Sequence, residues 1–158
     1  MSGLTAALVL HVLGAVLWIG GVAMVTTVII PVSRELGSME ERIALFAAVE
    51  RRFSWQARGA VVIVGLTGFY MVDRLHLWSV FSSLQYWWLC AMVGIWLLFA
   101  AILFVVEPLL KRRFEERLRS APEKSFATLH RMHWILLLLS AIAIAGGVAG
   151  SHGLSFFD

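Results

Sequence analysis

The sequence predicts an all-α integral membrane protein, a bundle of four transmembrane helices with both termini on the extracytoplasmic side. Three observations carry that expectation. The 158 residues are 60% hydrophobic with a mean hydropathy of +0.85, beyond the composition of a soluble domain. The apolar residues fall into four runs separated by charged connections, with no length left for a separate soluble domain. Of the 13 Lys and Arg, only Arg74 lies in the second connection, which leaves 12 in or beside the first and third. The positive-inside rule places those two connections in the cytoplasm. One multi-pass domain over residues 1–158, in a bacterial inner membrane, is expected.

The first run, 4–30, carries no charge and ends at Pro31. It exceeds the roughly 20 residues needed to span, so tilt or interfacial overhang is expected. No Lys or Arg precedes it, so it lacks the basic start of a cleaved signal peptide and is read as a retained helix. Within it, His11 is costly in hydrocarbon unless partnered, which marks it as a candidate functional position. At about 100° per residue, His11, Gly14, Trp18 and Gly21 form one stripe. The stripe offers a nitrogen ligand, a flat aromatic and two positions where a backbone or flat cofactor could come close. It equally suits plain helix packing, with His11 hydrogen-bonded to a neighbouring helix.

The first connection is patterned. Ser38-Met-Glu-Glu41 fits a capping box, and Met39, Ile43, Phe46, Ala47, Glu50 and Phe53 share one side. A short amphipathic helix over 39–53, lying on the cytoplasmic membrane surface, follows. The second apolar run is short, so its span is placed at 55–72, with Arg58 snorkelling to the headgroups. The third span, 86–106, opens on an aromatic belt of Tyr86, Trp87 and Trp88 and closes at Glu107-Pro108. A charged, helical segment follows it. The fourth span, 134–150, carries Ala145-Gly-Gly-Val-Ala-Gly150, which suits close packing within the chain or across a homodimer.

The only cysteine, Cys90, excludes disulfides, Cys-based zinc sites and iron–sulfur clusters within one chain. No Ser/His/Asp arrangement or phosphate loop is present. The calculated pI near 9.6 reflects orientation in the bilayer rather than nucleic-acid binding. The five histidines remain as the carriers of chemistry. His130 and His133 are three apart on one helix and project the same way, so they cannot clamp a haem between them; interfacial hydrogen bonding is expected. His11, His76 and His152 come from separate elements on the outer side and can converge. They could supply haem axial ligands, His11 pairing with His152 or His76, or they could bind copper.

The stretch His11-Val-Leu-Gly-Ala-Val-Leu-Trp18-Ile-Gly-Gly21 resembles the first helix of small four-helix membrane proteins of the CopD and HemJ type. Arg52-Phe-Ser-Trp-Gln-Ala-Arg58 and Gly65-Leu-Thr-Gly68-Phe-Tyr look like the second-helix region of the CopD-like members. The resemblance implies haem b for the HemJ branch, whose members oxidise protoporphyrinogen IX, and copper uptake or resistance for the CopD name. The HemJ pattern has a third-helix Trp-Leu-x-x-Lys; here the stretch is Trp88-Leu-Cys-Ala-Met92, with Met92 in place of Lys. The expectation is therefore a membrane b-type haem protein working in electron transfer or a redox reaction with an unnamed partner. A HemJ-like oxidase and CopD-like copper binding are the alternatives.

Overall fold

The computed structural model describes residues 2–35 and 37–153, and all regular structure among them is helical. Helix α1 (Ser2–Met24) continues through a π-helical turn (Val25–Ile29) into the short α2 (Ile30–Ser33). Helix α3 (Met39–Arg74) leads through two 3-10 turns (Leu77–Ser82, Leu84–Tyr86) to α4 (Trp87–Ala101). A second π-helical turn (Ile102–Val106) joins α4 to α5 (Glu107–Ser120), and α6 (Pro122–Ser151) ends the described chain. Three helical stretches, Gly3–Ser33, Leu84–Leu110 and Pro122–Ser151, are long and apolar enough to cross a membrane. Both chain termini lie outside the described residues.

One boundary differs from the sequence expectation. The amphipathic segment and the second apolar run form a single helix of 36 residues, started by Ser38. The expected capping box is present: Glu41 N–H donates to Ser38 Oγ, and Ser38 N–H to Glu41 Oε2, both at 3.2 Å. Part of the apolar face of the first turns packs on the protein itself. Phe46 is buried and meets Phe126 edge-on at 5.8 Å, in a cluster with Val25, Ile30, Leu118 and Leu129. This cluster closes the end of the bundle that carries the first and third connections.

Both π-helical turns end two residues before a proline, with the same cause and the same remedy. In that register Ile30 N–H reaches Val25 O and Glu107 N–H reaches Ile102 O. The next residues are Pro31 and Pro108, which have no N–H to give. The carbonyls of Thr26 and Leu103 thus lose their main-chain donor, and a side chain from another helix serves each. His130 Nε2 lies 3.1 Å from Thr26 O, and Arg58 Nε donates to Leu103 O at 3.2 Å. Arg58 accordingly does not snorkel outward: its Nη2 pairs with Glu107 Oε1 at 2.9 Å.

Glycines set the helix contacts. A Cβ on Gly14 would meet Val64 Cγ2 at 2.9 Å, so α1 and α3 lie close, antiparallel, along their apolar lengths. On α6, side chains at Gly146, Gly147 and Gly150 would collide with Trp87, Met92 and Trp88 of α4. The glycine-rich face of the last helix is thus used within the chain. The central core gathers Trp18, Val22, Val61, Val64, Phe99 and Leu136 from all four long helices.

Candidate functional site

His11 sits half-buried on α1, facing α3. Its Nδ1 is 3.0 Å from the carbonyl of Val64 and 3.1 Å from Thr67 Oγ1. A carbonyl can only accept, so the proton is on Nδ1 and the lone pair of the neutral ring is on Nε2. Thr67 Oγ1 donates to Ile63 O at 2.6 Å, which turns its own lone pair toward the imidazole. Gly68 makes the approach possible: a Cβ there would stand 3.1 Å from His11 Cε1. Position 67 is a hydroxyl, position 68 is bare, and α3 therefore holds the ring in one tautomer and one orientation. An imidazole with Nδ1–H on a backbone carbonyl and Nε2 open is the arrangement that metal-ligating histidines adopt.

His11 lines an apolar cavity of about 340 Å³ between α1, α3, α4 and α6, together with Trp88, Met92, Trp96, Met71 and Ser140. Trp96 is fixed in that wall by its indole N–H, which donates to Val61 O at 2.8 Å, and by the edge-on ring of Phe69 at 5.5 Å. Gly65 and Gly68 of α3 let Trp96 and His11 lie directly over the helix in that wall.

Of the stripe read from the sequence, Trp18 also lines this cavity. It is only 3% exposed, packs edge-on against Phe99 at 4.8 Å, and its indole N–H has no hydrogen-bond partner among the described residues. The space over the two glycines goes to α3 rather than to open room: Val64 fills it at Gly14 and Phe53 at Gly21.

His11, His76 and His152 are not brought together. His76 is exposed in the turn after α3, in the left-handed region with φ 55°. His152 is exposed at the end of α6, its Nδ1 2.8 Å from Val148 O, one turn back on its own helix. Neither lines the cavity. Among the described residues, no three His, Cys, Asp or Glu side chains could together hold a metal ion, so the copper trio has no geometric basis. His130 bonds across to other segments, whereas His133 bonds within its own helix. His130 Nδ1 accepts from Arg34 Nη2 at 2.9 Å, and His133 Nδ1 is 2.9 Å from Leu129 O.

Sequence reasoning did not pair Thr67 with His11, or Arg58 with Glu107. A signal for the first was present: the Gly65-Leu-Thr-Gly68 stretch puts a hydroxyl and two bare positions on a helix that must pack on α1. No family model, curated protein or solved structure matches this chain.

Proposed function

We propose that this is a multi-pass protein of a bacterial inner membrane that binds haem b through His11 and works in electron transfer or a redox reaction. The observation that carries this reading is the state of His11, on the wall of an apolar cavity: Nδ1 is committed to Val64 O, and Nε2 has no hydrogen-bond partner among the described residues. What supports the reading is an imidazole and the aromatic side chains of Trp88 and Trp96 in an apolar wall, the donor and the lining that haem iron and an apolar macrocycle take. Bound there, the iron would supply a one-electron couple. Since His76 and His152 lie outside the cavity, the soft ligands left in its wall are the thioethers of Met71 and Met92. Met92 stands in the wall where the resemblance expects lysine. A neutral thioether offers no charge-assisted contact to a carboxylate, which favours electron transfer over porphyrinogen oxidation.

The same proposal takes residues 55–72 of α3 as the fourth span, with both termini outside. Tyr70 faces Gly3 and Phe53 faces Gly21. Between those contacts α3 runs about 25 Å beside α1 at 1.5 Å per residue, nearly the hydrocarbon thickness. The charge that lowers its hydropathy, Arg58, is neutralised by Glu107. Activity of a cytoplasm-only reporter fused after Asp158 would reverse this orientation.

An absorption spectrum of the purified protein tests the haem reading. A Soret band that shifts on dithionite reduction, and that is lost in His11→Ala, is the expected result. Purified protein without a Soret band after expression with ample haem, or His11→Ala with unchanged haem content, removes it.

A further inference from the structure

A second, larger cavity lies at the opposite end of the core from His11. It encloses about 580 Å³ and runs from Trp18, Phe99 and Leu136 to the turn between α5 and α6. Its deepest part, around Trp18, Phe99 and Leu136, is apolar; farther out it is lined by His133, whose Nδ1 lies on Leu129 O, and by Ser54, which donates to Glu107, and at the turn by Arg117 and Lys124, both exposed. Two carboxylates also line it, Glu50 and Glu107. Glu107 is already engaged by the Arg58 guanidinium and the Ser54 hydroxyl. In or beside the first and third connections, at this same end, lie 12 of the 13 Lys and Arg.

The dimensions select the kind of occupant. From Leu136 to Lys124 along α6 is about 18 Å at 1.5 Å per residue, close to one leaflet's share of a hydrocarbon core about 30 Å thick. Water gains little in an apolar space of this size, and a small soluble anion would meet the cations but leave the depth empty. An acyl chain fills the depth, and a phosphate at its head reaches the cations. Basic pockets between membrane helices take anionic headgroups for this reason.

We propose that this cavity binds one anionic phospholipid, with an acyl chain along Leu103 and Leu136 toward Trp18 and its phosphate at Arg117 and Lys124. The site shares only the Trp18 side chain with the His11 cavity, and it does not depend on haem binding there.

The test uses the full chain purified in mild detergent, with retained lipids identified and counted by native mass spectrometry. One phosphatidylglycerol-class lipid per chain is expected. Arg117→Gln with Lys124→Gln should weaken its retention about 25-fold, roughly fivefold for each cation. Ala57→Leu, which fills the cavity wall without touching either cation, should lose the lipid as well. Delipidated wild-type protein should gain thermal stability from micelles containing phosphatidylglycerol, less from phosphatidylcholine, and none from inorganic phosphate. Equal retention in the double variant, equal stabilisation by the two lipids, or an effect of inorganic phosphate alone overturns the proposal. If the double variant does not fold, the wild-type comparison decides by itself.

Discussion

The guanidinium of Arg58 reaches across the bundle to the carbonyl of Leu103, five residues before Pro108, and donates to it at 3.2 Å. Its second arm holds Glu107 at 2.9 Å, and Ser54 donates to the same carboxylate at 2.8 Å. One side chain thus repairs the hydrogen bond that Pro108 removes and neutralises the acid beside it. Both members of the pair are mostly covered, with side chains 24% and 26% exposed. Removing the cation leaves a carboxylate and a carbonyl without their partner. Arg58→Ala should therefore destabilise the protein by about 3 kcal/mol, the low end for breaking a buried pair because some solvent remains. Arg58→Lys should recover part of that, since it keeps the charge and loses the fork. Thermal unfolding in detergent measures both; an Arg58→Ala protein as stable as the parent would show that water already serves these groups.

The matching defect in the first helix is served by His130, and its chemistry fixes the tautomer. Arg34 can only donate to Nδ1, and Thr26 O can only accept from Nε2. With its proton on Nε2, the ring has no lone pair there for the Trp134 indole, although that nitrogen is 3.0 Å away. If His130 replaces the donor that Pro31 lacks, its value depends on the proline. In the parent, His130→Phe should cost about 1 kcal/mol, the net worth of a hydrogen bond. In a Pro31→Ala background, which returns an N–H to the main chain, the cost should shrink toward zero. A double-mutant cycle reads this coupling. Additive effects would mean that Thr26 O does not need the imidazole.

The helical class and the candidate spans were legible because hydropathy records them residue by residue: long uncharged runs ending at Pro31 and at Glu107-Pro108 can be little else. The capping box was legible because it is local, four residues closing on themselves. What the sequence did not disclose is pairing between helices. Arg58 reads as a snorkelling residue when only its own span is considered; its partner lies 49 positions away. Likewise, the stripe of His11, Gly14, Trp18 and Gly21 reads as room for a cofactor until Val64 and Phe53 are seen to occupy it. The helical periodicity placed the stripe, and the neighbouring helix decided how its space is used.

The glycines of α6 give a sharper test of whether they serve one chain or two. Gly147 lies under the Met92 thioether and Gly150 under the Trp88 indole of the same chain. Gly150→Val should therefore destabilise the monomer by about 1–3 kcal/mol through overpacking. It should also shift Trp88 fluorescence and leave the oligomeric state unchanged. Gly147→Ala should be milder, because the Met92 end group is flexible and can swing aside. A change in oligomeric state at unaltered thermal stability would instead assign these glycines to an interface between copies.

The ligation of the proposed haem separates the cavity wall from the outer histidines. His76 and His152 are exposed and outside the cavity, and His152 is spent on Val148 O at the end of its own helix. Replacing either by Ala should leave haem content, Soret position and spin state as in the parent. His11→Ala should abolish retention, because the ring fixed by Val64 and Thr67 is the imidazole that the wall offers to iron in this reading. His11→Gln keeps a polar side chain at this position and should still lose the haem, since an amide is a poor ligand for its iron. Thr67→Val offers a finer measure: it removes one of the two oxygens near Nδ1 while the carbonyl of Val64 stays. Loss of such outer-shell support costs metal sites about 10–100-fold in affinity, so the variant should bind haem more weakly with an unchanged ligand set. Met92→Leu then addresses the sixth position. Conversion of a six-coordinate to a five-coordinate spectrum would place the thioether on iron, whereas the same conversion in His152→Ala would return that role to the histidine.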